Sequence, residues 1–166
     1  MKNKIRFIKV ALLFIRLSVI IIFITASCKR DSCENVVCSG NKICFQGVCQ
    51  CPTGYEGQYC DTLSADKYVG NYQVYQNCIN GLPSQYPSNI VQGNYVYEIY
   101  IGNMIGQGLQ CRAIINVNDI QIPSQNLGAT PISGYGNYNP ANGHITLHYQ
   151  YSQNGIPYDC TADYYK

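Results

Sequence analysis

One stretch decides how the first part of this chain folds: Cys49-Gln50-Cys51-Pro52-Thr53-Gly54-Tyr55-Glu56-Gly57-Gln58-Tyr59-Cys60. It closes a run of six cysteines within 28 residues, which are Cys33, Cys38, Cys44, Cys49, Cys51 and Cys60. A segment of this length has too few apolar residues to bury a core, so it must be held by cross-links. Disulfide bonds persist only in an oxidising compartment, which predicts a small, loop-rich module outside the cytoplasm. Six cysteines allow 15 pairings, and the spacing alone does not choose among them.

The spacing and the ending of this run resemble the epidermal-growth-factor-like (EGF-like) domain. The ending Cys-x-Cys-x-x-Gly-Tyr-x-Gly-x-x-Cys is present in full, with Gly54, Tyr55 and Gly57 at the family's positions. The two glycines suit turns that require a positive φ. The resemblance covers residues 29–61. It implies the disulfide pairs Cys33–Cys44, Cys38–Cys49 and Cys51–Cys60.

We expect no metal or other cofactor in this module. Calcium-binding members of the family carry an acidic cluster just before the first cysteine. Here Cys28-Lys29-Arg30-Asp31-Ser32 precedes Cys33, with one carboxylate beside two cations, so we predict no calcium site. One residue between Cys49 and Cys51 is also a tight spacing for structural zinc, and disulfide formation competes for the thiols.

Residues 1–27 have the composition of a secretion signal peptide. They contain five basic residues, no acid, and an apolar run of ten residues from Leu17 to Ala26. Ten residues span about half of a bilayer's hydrocarbon core, which needs roughly 20. A charged start before a short apolar run is typical of a cleaved signal. The alternative is an N-terminal membrane helix over residues 7–27 that tolerates Arg16.

The residues Thr25-Ala26-Ser27-Cys28 resemble the lipobox of bacterial lipoproteins, with Thr25 where leucine is usual. The resemblance implies cleavage before Cys28 and acylation of its thiol. Each buried methylene contributes about 0.8 kcal/mol, so two or three chains anchor a protein stably in a membrane. Lys29 stands where an aspartate would resemble an inner-membrane retention signal, which favours an outer-membrane lipoprotein of the cell envelope. The alternative is a plain signal peptide that leaves Cys28 as a spare thiol.

The net charge of the chain gives no support for nucleic-acid binding. The whole chain has a formal charge of +2, but five of its eleven basic residues lie in 1–27. The part from Cys28 onward has six basic and nine acidic residues, a net charge of −3. A basic surface is the electrostatic signature of a nucleic-acid partner, and this part lacks it.

A short polar linker over residues 62–66 leads into a predicted β domain over residues 67–166. This region holds 14 of the 16 tyrosines, no Phe or Trp, and few charges. Apolar residues alternate with period two between turn signals such as Asn80-Gly81 and Asn142-Gly143. Seven short strands are predicted, over 68–78, 95–101, 109–117, 120–122, 132–138, 145–151 and 156–164. An antiparallel meander with one apolar face must close as a barrel or fold as a sandwich, so the fold class is mainly β.

This β region resembles the small β-barrel domains of secreted lipoproteins of Bacteroidota-type bacteria. It is also similar to the lipocalin superfamily at Gly70-Asn71-Tyr72, where lipocalins have Gly-x-Trp. The region is about 50 residues shorter than a lipocalin, and a second lipocalin motif is absent. The lipocalin resemblance implies a barrel that encloses a small apolar ligand.

Three further cysteines, Cys78, Cys111 and Cys160, fall on the apolar face of their predicted strands. Two of them are expected to pair inside the domain. The first and last strands of a closed meander are neighbours, so we predict a Cys78–Cys160 bond across the seam. Cys111 is then a buried free thiol that behaves as a small apolar residue.

No arrangement of residues predicts catalysis. His144 and His148 share the polar face of one strand, where exposed histidines are the simpler interpretation than a metal or catalytic site. Asp159 and Asp163 lie on one outward face, but four residues along a strand separate them by about 13 Å. That distance is too long for a glycosidase-type carboxylate pair. Phosphate-binding loops, nucleophile elbows and zinc-protease motifs are also absent.

Outward tyrosines are the remaining functional signal. Tyr75, Tyr100, Tyr135 and Tyr165 are predicted to face away from the core. Their rings combine apolar area with a hydrogen-bonding tip, which favours recognition of sugars or proteins; alternatively, tyrosine is common on β-surfaces for its strand propensity alone. We therefore predict a non-catalytic lipoprotein whose EGF-like stalk presents a β domain to a protein or glycan partner. A lipocalin-like carrier is the alternative.

Overall fold

A computed structural model describes residues 32–166 of the chain. The predicted signal peptide, its membrane-helix alternative and the lipidation site Cys28 lie outside the described residues. In the part that is described, no helix has both the length and the apolar composition needed to cross a membrane.

The N-terminal module consists of two small hairpins and three disulfide bonds. Its strands are β1 (Ile43–Phe45), β2 (Val48–Gln50), β3 (Tyr55–Glu56) and β4 (Thr62–Leu63), paired β1 with β2 and β3 with β4. The bonds Cys33–Cys44, Cys38–Cys49 and Cys51–Cys60 are the pairs that the EGF-like resemblance implies. Gln46 and Gly47 join β1 to β2 with φ values of 50° and 84°. A two-residue hairpin loop of type I′ needs a positive φ at both positions.

Residues 62–66 are built into the fold and do not form the linker that their polar composition predicts. Thr62–Leu63 is β4, and Ser64–Lys67 forms a short 3₁₀ helix in which Ser64 and Ala65 are fully buried. The Ser64 amide donates to the carbonyl of Gly54 at 2.9 Å. The Ser64 hydroxyl donates to Glu56 Oε2 at 3.4 Å, so this buried serine has a partner within the fold, and a sequence cannot distinguish this role from solvation.

The C-terminal region is a closed antiparallel barrel of eight strands, which resolves the choice between barrel and sandwich. The strands are β5 (Gly70–Ile79), β6 (Ser84–Gln92), β7 (Glu98–Met104), β8 (Leu109–Asn116), β9 (Asp119–Leu127), β10 (Thr130–Asn139), β11 (His144–Gln153) and β12 (Ile156–Tyr165). Each strand pairs with the next, and β12 returns to pair with β5. Closure leaves no free sheet edge, which removes a site of aggregation.

The prediction of seven strands is wrong because it misses β6. This strand contains Pro87 and shows little apolar alternation, two features that argue against a strand. The structure accommodates the proline because β6 pairs with β7 only over Ile90–Gln92. Side chains bridge the remaining gap. The Ser88 hydroxyl donates to the Gly102 carbonyl at 2.6 Å, and the Asn103 amide donates to the Pro87 carbonyl at 2.5 Å.

The interior of the barrel is packed with aliphatic and tyrosine side chains. Five tyrosines are buried, namely Tyr68, Tyr72, Tyr86, Tyr149 and Tyr164. Burial raises the pKa of each of these phenols above its usual range. Gly134 and Gly136 make room for large neighbours, because a Cβ on Gly134 would overlap the side chain of Tyr149 and one on Gly136 would overlap Leu147.

A polar network lies inside this core. The Gln76 carbonyl oxygen accepts hydrogen bonds from Tyr86 Oη at 2.7 Å and from Tyr149 Oη at 2.5 Å. The Gln76 amide nitrogen lies 3.0 Å from Cys78 Sγ. Each buried hydroxyl therefore has an acceptor, as burial of a polar group requires.

Cysteine positions follow the predicted barrel topology. Cys78 on β5 lies directly opposite Cys160 on β12, and a disulfide bond joins them across the seam. Cys111 is buried and is the free cysteine among residues 32–166. Burial raises the pKa of its thiol to about 12, which keeps it protonated and unreactive.

Candidate functional site

Four adjacent strands of the barrel, β10, β11, β12 and β5, carry polar and aromatic side chains on their outward face, here called the outer wall. Their register sets these side chains in rows across the strands. One row contains Tyr135, His148, Thr161 and Asn77, and the next contains Asn137, Thr146, Asp163 and Tyr75. The two-residue period of a strand places every second residue on this face.

Three of the predicted outward tyrosines belong to the outer wall. Tyr75, Tyr135 and Tyr165 are 49%, 66% and 47% exposed. The rings of Tyr75 and Tyr165 meet edge to face with centroids 5.6 Å apart. Tyr100 lies on β7, four strands from β11, so the barrel places it on the opposite side. It is half-buried there, and its hydroxyl accepts a hydrogen bond from the Asn94 amide at 3.2 Å.

Both histidines lie on the outer wall. The sequence predicts that they are exposed, but both are half-buried. The His144 ring stacks on Tyr165 with centroids 4.4 Å apart, and its Nε2 lies 3.4 Å from Asp163 Oδ1. The His148 ring lies 5.4 Å from Tyr135, and its Nδ1 is within 3.1 Å of Thr161 Oγ1. Tyr165 and Tyr135 cover the two imidazole rings. Only the register between strands makes these tyrosines neighbours of the histidines.

Two adjoining cavities of about 470 Å³ each cross the outer wall. Both are lined by Ser124, Ser133, Gln150 and Asp159, so they form two lobes of one depression, here called the Asp159 groove. Tyr135 lines one lobe and Tyr158 lines the other. The Gln150 amide donates to Asp159 Oδ2 at 3.0 Å across the floor of the groove.

A β-bulge creates this groove. The pairing of β9 with β10 shifts between Ile132, opposite Gln125, and Gly134, opposite Ile122. Two residues of β9, Pro123 and Ser124, therefore stand against the single residue Ser133. A proline lacks the N–H that a continuous ladder needs, and such bulges bend a strand away from its partner.

The outer wall carries negative charge. Its four strands contain Asp159 and Asp163 and neither lysine nor arginine. The nearest base in sequence is Lys166, whose Nζ donates to the Lys67 carbonyl at 3.0 Å. Among residues 32–166 no group of three His, Cys, Asp or Glu side chains is placed to hold a metal ion.

The sequence signals only part of this site. Strand alternation places the three tyrosines and Asp159 outward, as predicted. The roles of Gln150, Ser133 and Tyr158 were missed, because their proximity to Asp159 depends on strand register and on the bulge. Pro123, directly after the predicted strand over 120–122, was the one signal that pointed to an irregularity there.

No family model matches the chain. A Giardia intestinalis protein described as a neurogenic locus notch homolog is 28% identical over an alignment of 74 residues that covers 41% of this chain. The chain spans only 12% of that relative's length. This similarity to an EGF-repeat protein and the three disulfide pairs together fit an EGF-like module in the N-terminal region.

Among solved structures, a redesigned β-barrel is similar to this chain, with a TM-score of 0.45 and 15% sequence identity. The alignment covers 62% of this chain and 94% of the other.

Proposed function

We propose that the protein is a non-catalytic lipoprotein of the cell envelope whose outer wall binds a glycan or protein partner. The observation that carries the proposal is the exposure of Tyr75, Tyr135 and Tyr165 on four adjacent strands. Large exposed aromatic rings bring apolar contact area at low entropic cost and end in a hydrogen-bonding hydroxyl. Such rings are enriched where proteins bind partners.

The lipobox-like residues ending in Cys28 support an acyl anchor, and the disulfide-rich module supports an oxidising location, for which we propose the outer membrane. The module contacts the barrel directly. Lys67 Nζ lies 2.5 Å from Glu56 Oε2 and 2.9 Å from Asn118 Oδ1. These contacts favour a rigid stalk that holds the outer wall in one orientation.

A lipocalin-like carrier is less well supported. A carrier needs an internal cavity of some hundreds of Å³. An eight-stranded barrel is wide enough either to be filled by side chains or to hold one small ligand, so its packing decides between the two. The five buried tyrosines and their aliphatic neighbours occupy the space that a ligand would take.

Two measurements test the proposal. Intact mass of the membrane-extracted protein should show cleavage before Cys28 and the added mass of acyl chains. A glycan array and a cross-linking pull-down with the intact protein should give a ligand whose affinity falls at least about tenfold in the triple variant Tyr75→Ala/Tyr135→Ala/Tyr165→Ala.

The control is Tyr95→Ala. This tyrosine is 59% exposed but lies in the loop between β6 and β7, outside the outer wall. We expect it to bind like the unaltered protein. Equal binding by the triple variant, or an extracted protein that keeps residues 1–27 and lacks acyl chains, would contradict the proposal.

A further inference from the structure

We propose that the ligand of the outer wall is a neutral glycan and that the Asp159 groove holds one of its sugar units. This inference rests on the proposed function, and it adds the class of ligand and the point of contact. Its starting observation is a polar depression, lined by Tyr135 in one lobe and Tyr158 in the other, in a wall that has no lysine or arginine.

The size of the groove suits a sugar unit with its neighbours in a chain. Each lobe has a volume of about 470 Å³, within the range of small-molecule sites, about 300–1,000 Å³. The two lobes share their floor, so a chain can continue from one lobe into the next.

The floor of the groove matches the hydroxyl groups of a sugar. A carboxylate accepts hydrogen bonds, and an amide both donates and accepts them. The Gln150 amide holds Asp159 through Oδ2. Within the described residues, Asp159 Oδ1 and Gln150 Oε1 accept no further hydrogen bond in the protein, so both are available to hydroxyl donors. Ser124 and Ser133 add two hydroxyls beside them.

Aromatic rings flank this polar floor. Tyr135 borders one lobe with two thirds of its surface exposed. At the other lobe, the stacked rings of Tyr158 and Tyr151, with centroids 4.7 Å apart, pack against the barrel core and form the inner side of the lobe. The C–H face of a sugar ring can cover the exposed ring of Tyr135 while its hydroxyls reach the floor, because this side chain combines an apolar body with a polar tip.

The charge of the outer wall and the residues that line the Asp159 groove disfavour other classes of ligand. An anionic ligand would meet Asp159 with no lysine or arginine in the four strands to compensate. An apolar ligand would cover a carboxylate and an amide and leave them unpaired, which costs binding energy. Aspartate and serine, which form much of the lining, are depleted in protein–protein interfaces. A neutral ligand rich in hydroxyls satisfies all three conditions.

The test measures binding of the intact protein to an array of neutral, sulfated and uronic-acid-containing oligosaccharides. We expect selective binding to neutral glycans. With the best neutral glycan as probe, Asp159→Ala and Gln150→Ala should each weaken binding at least about tenfold, because each removes polar groups that hydrogen-bond the sugar hydroxyls.

The matched control is Asp119→Ala. Asp119 is an exposed carboxylate on the neighbouring strand β9, outside the outer wall and both cavities. We expect its affinity to stay within about twofold of the original, and the circular dichroism melt of each variant verifies its fold.

The outcomes separate the two proposals. A ligand that the triple tyrosine variant loses but that both groove variants keep would overturn the groove assignment and leave the proposed function intact. A preference for anionic glycans or for a protein would overturn the neutral-glycan assignment alone. Binding that resists the triple variant as well would overturn both.

Discussion

The bond between Cys78 and Cys160 is expected to make the largest single covalent contribution to barrel stability. The two cysteines are 82 residues apart in sequence and directly opposite in the β5–β12 pairing. In the chain-entropy model, a loop of this length restricts the unfolded chain by about 4.5 kcal/mol at 25 °C. Folded domains are stable by only about 5–15 kcal/mol, so this bond supplies a large share of the total.

The perturbation is the double variant Cys78→Ala/Cys160→Ala. It removes the loop constraint and also two buried sulfur atoms, each worth about 1 kcal/mol if sulfur is treated like a buried methylene. We therefore expect a loss of about 6.5 kcal/mol in the free energy of unfolding. Substitution is preferable to a reductant, because a reductant would also open the three bonds of the EGF-like module.

The variant Cys111→Ala is the matched control. Cys111 is buried in the same core but forms no disulfide bond, so its substitution removes a sulfur atom without changing the chain's connectivity. We expect this variant to lose about 1 kcal/mol.

The assay is guanidinium chloride unfolding followed by circular dichroism, with all variants lacking residues 1–28 and kept oxidised. The linear extrapolation gives the free energy of unfolding of each. If the double variant loses no more than twice what Cys111→Ala loses, the loss comes from the sulfur atoms alone. That result would refute the conclusion that the bond stabilises the barrel by restricting the unfolded chain.

Three further predictions concern the barrel interior. Gln76→Leu should lower the free energy of unfolding by about 2–4 kcal/mol, because it leaves the hydroxyls of Tyr86 and Tyr149 without an acceptor. Adding Tyr86→Phe and Tyr149→Phe should recover most of this loss, as measured by denaturant unfolding. No recovery would contradict the hydrogen-bond network. Stability should fall above pH 10, because buried phenols whose pKa is raised in the folded state stay protonated while those of the unfolded chain ionise. The slope is up to about 1.4 kcal/mol per pH unit for each tyrosine. A phenolate absorbance titration in which all 16 tyrosines ionise near pH 10 without unfolding would refute this. Cys111 should resist a thiol-alkylating reagent at neutral pH and react fully in denaturant, because burial raises its pKa to about 12; rapid labelling of the folded protein would contradict its burial.

Much of the fold is readable from local patterns. Six closely spaced cysteines with the ending from Cys49 to Cys60 predict a disulfide-held module, since so short a segment has no other means of stability. Period-two alternation predicts most of the barrel strands and the inward direction of Cys78, Cys111 and Cys160. These features depend on neighbours in sequence, so no knowledge of distant partners was needed.

The strand prediction fails where side chains from a distant part of the chain make hydrogen bonds that the local sequence does not indicate. In β6, Pro87 argues against a strand, but the side chains of Ser88 and Asn103 provide the bridges that the ladder lacks. On β9, the Gln125 side chain bonds both the amide and the carbonyl of Arg112 in place of a backbone partner. Side-chain hydrogen bonds that take the place of backbone ones are visible only after the strands are aligned.

The candidate site was also predictable from the sequence only in part. The sequence by itself determined which side chains are polar, which are aromatic, and which point outward along each strand, because the pleat of a strand repeats every two residues. Only the tertiary structure decided that Tyr75, Tyr135 and Tyr165 share one wall, that Tyr100 does not, and that Asp159 lies in a groove. Closure of the barrel and the shifted register at Ser133 set these distances, and both depend on residues far apart in the chain.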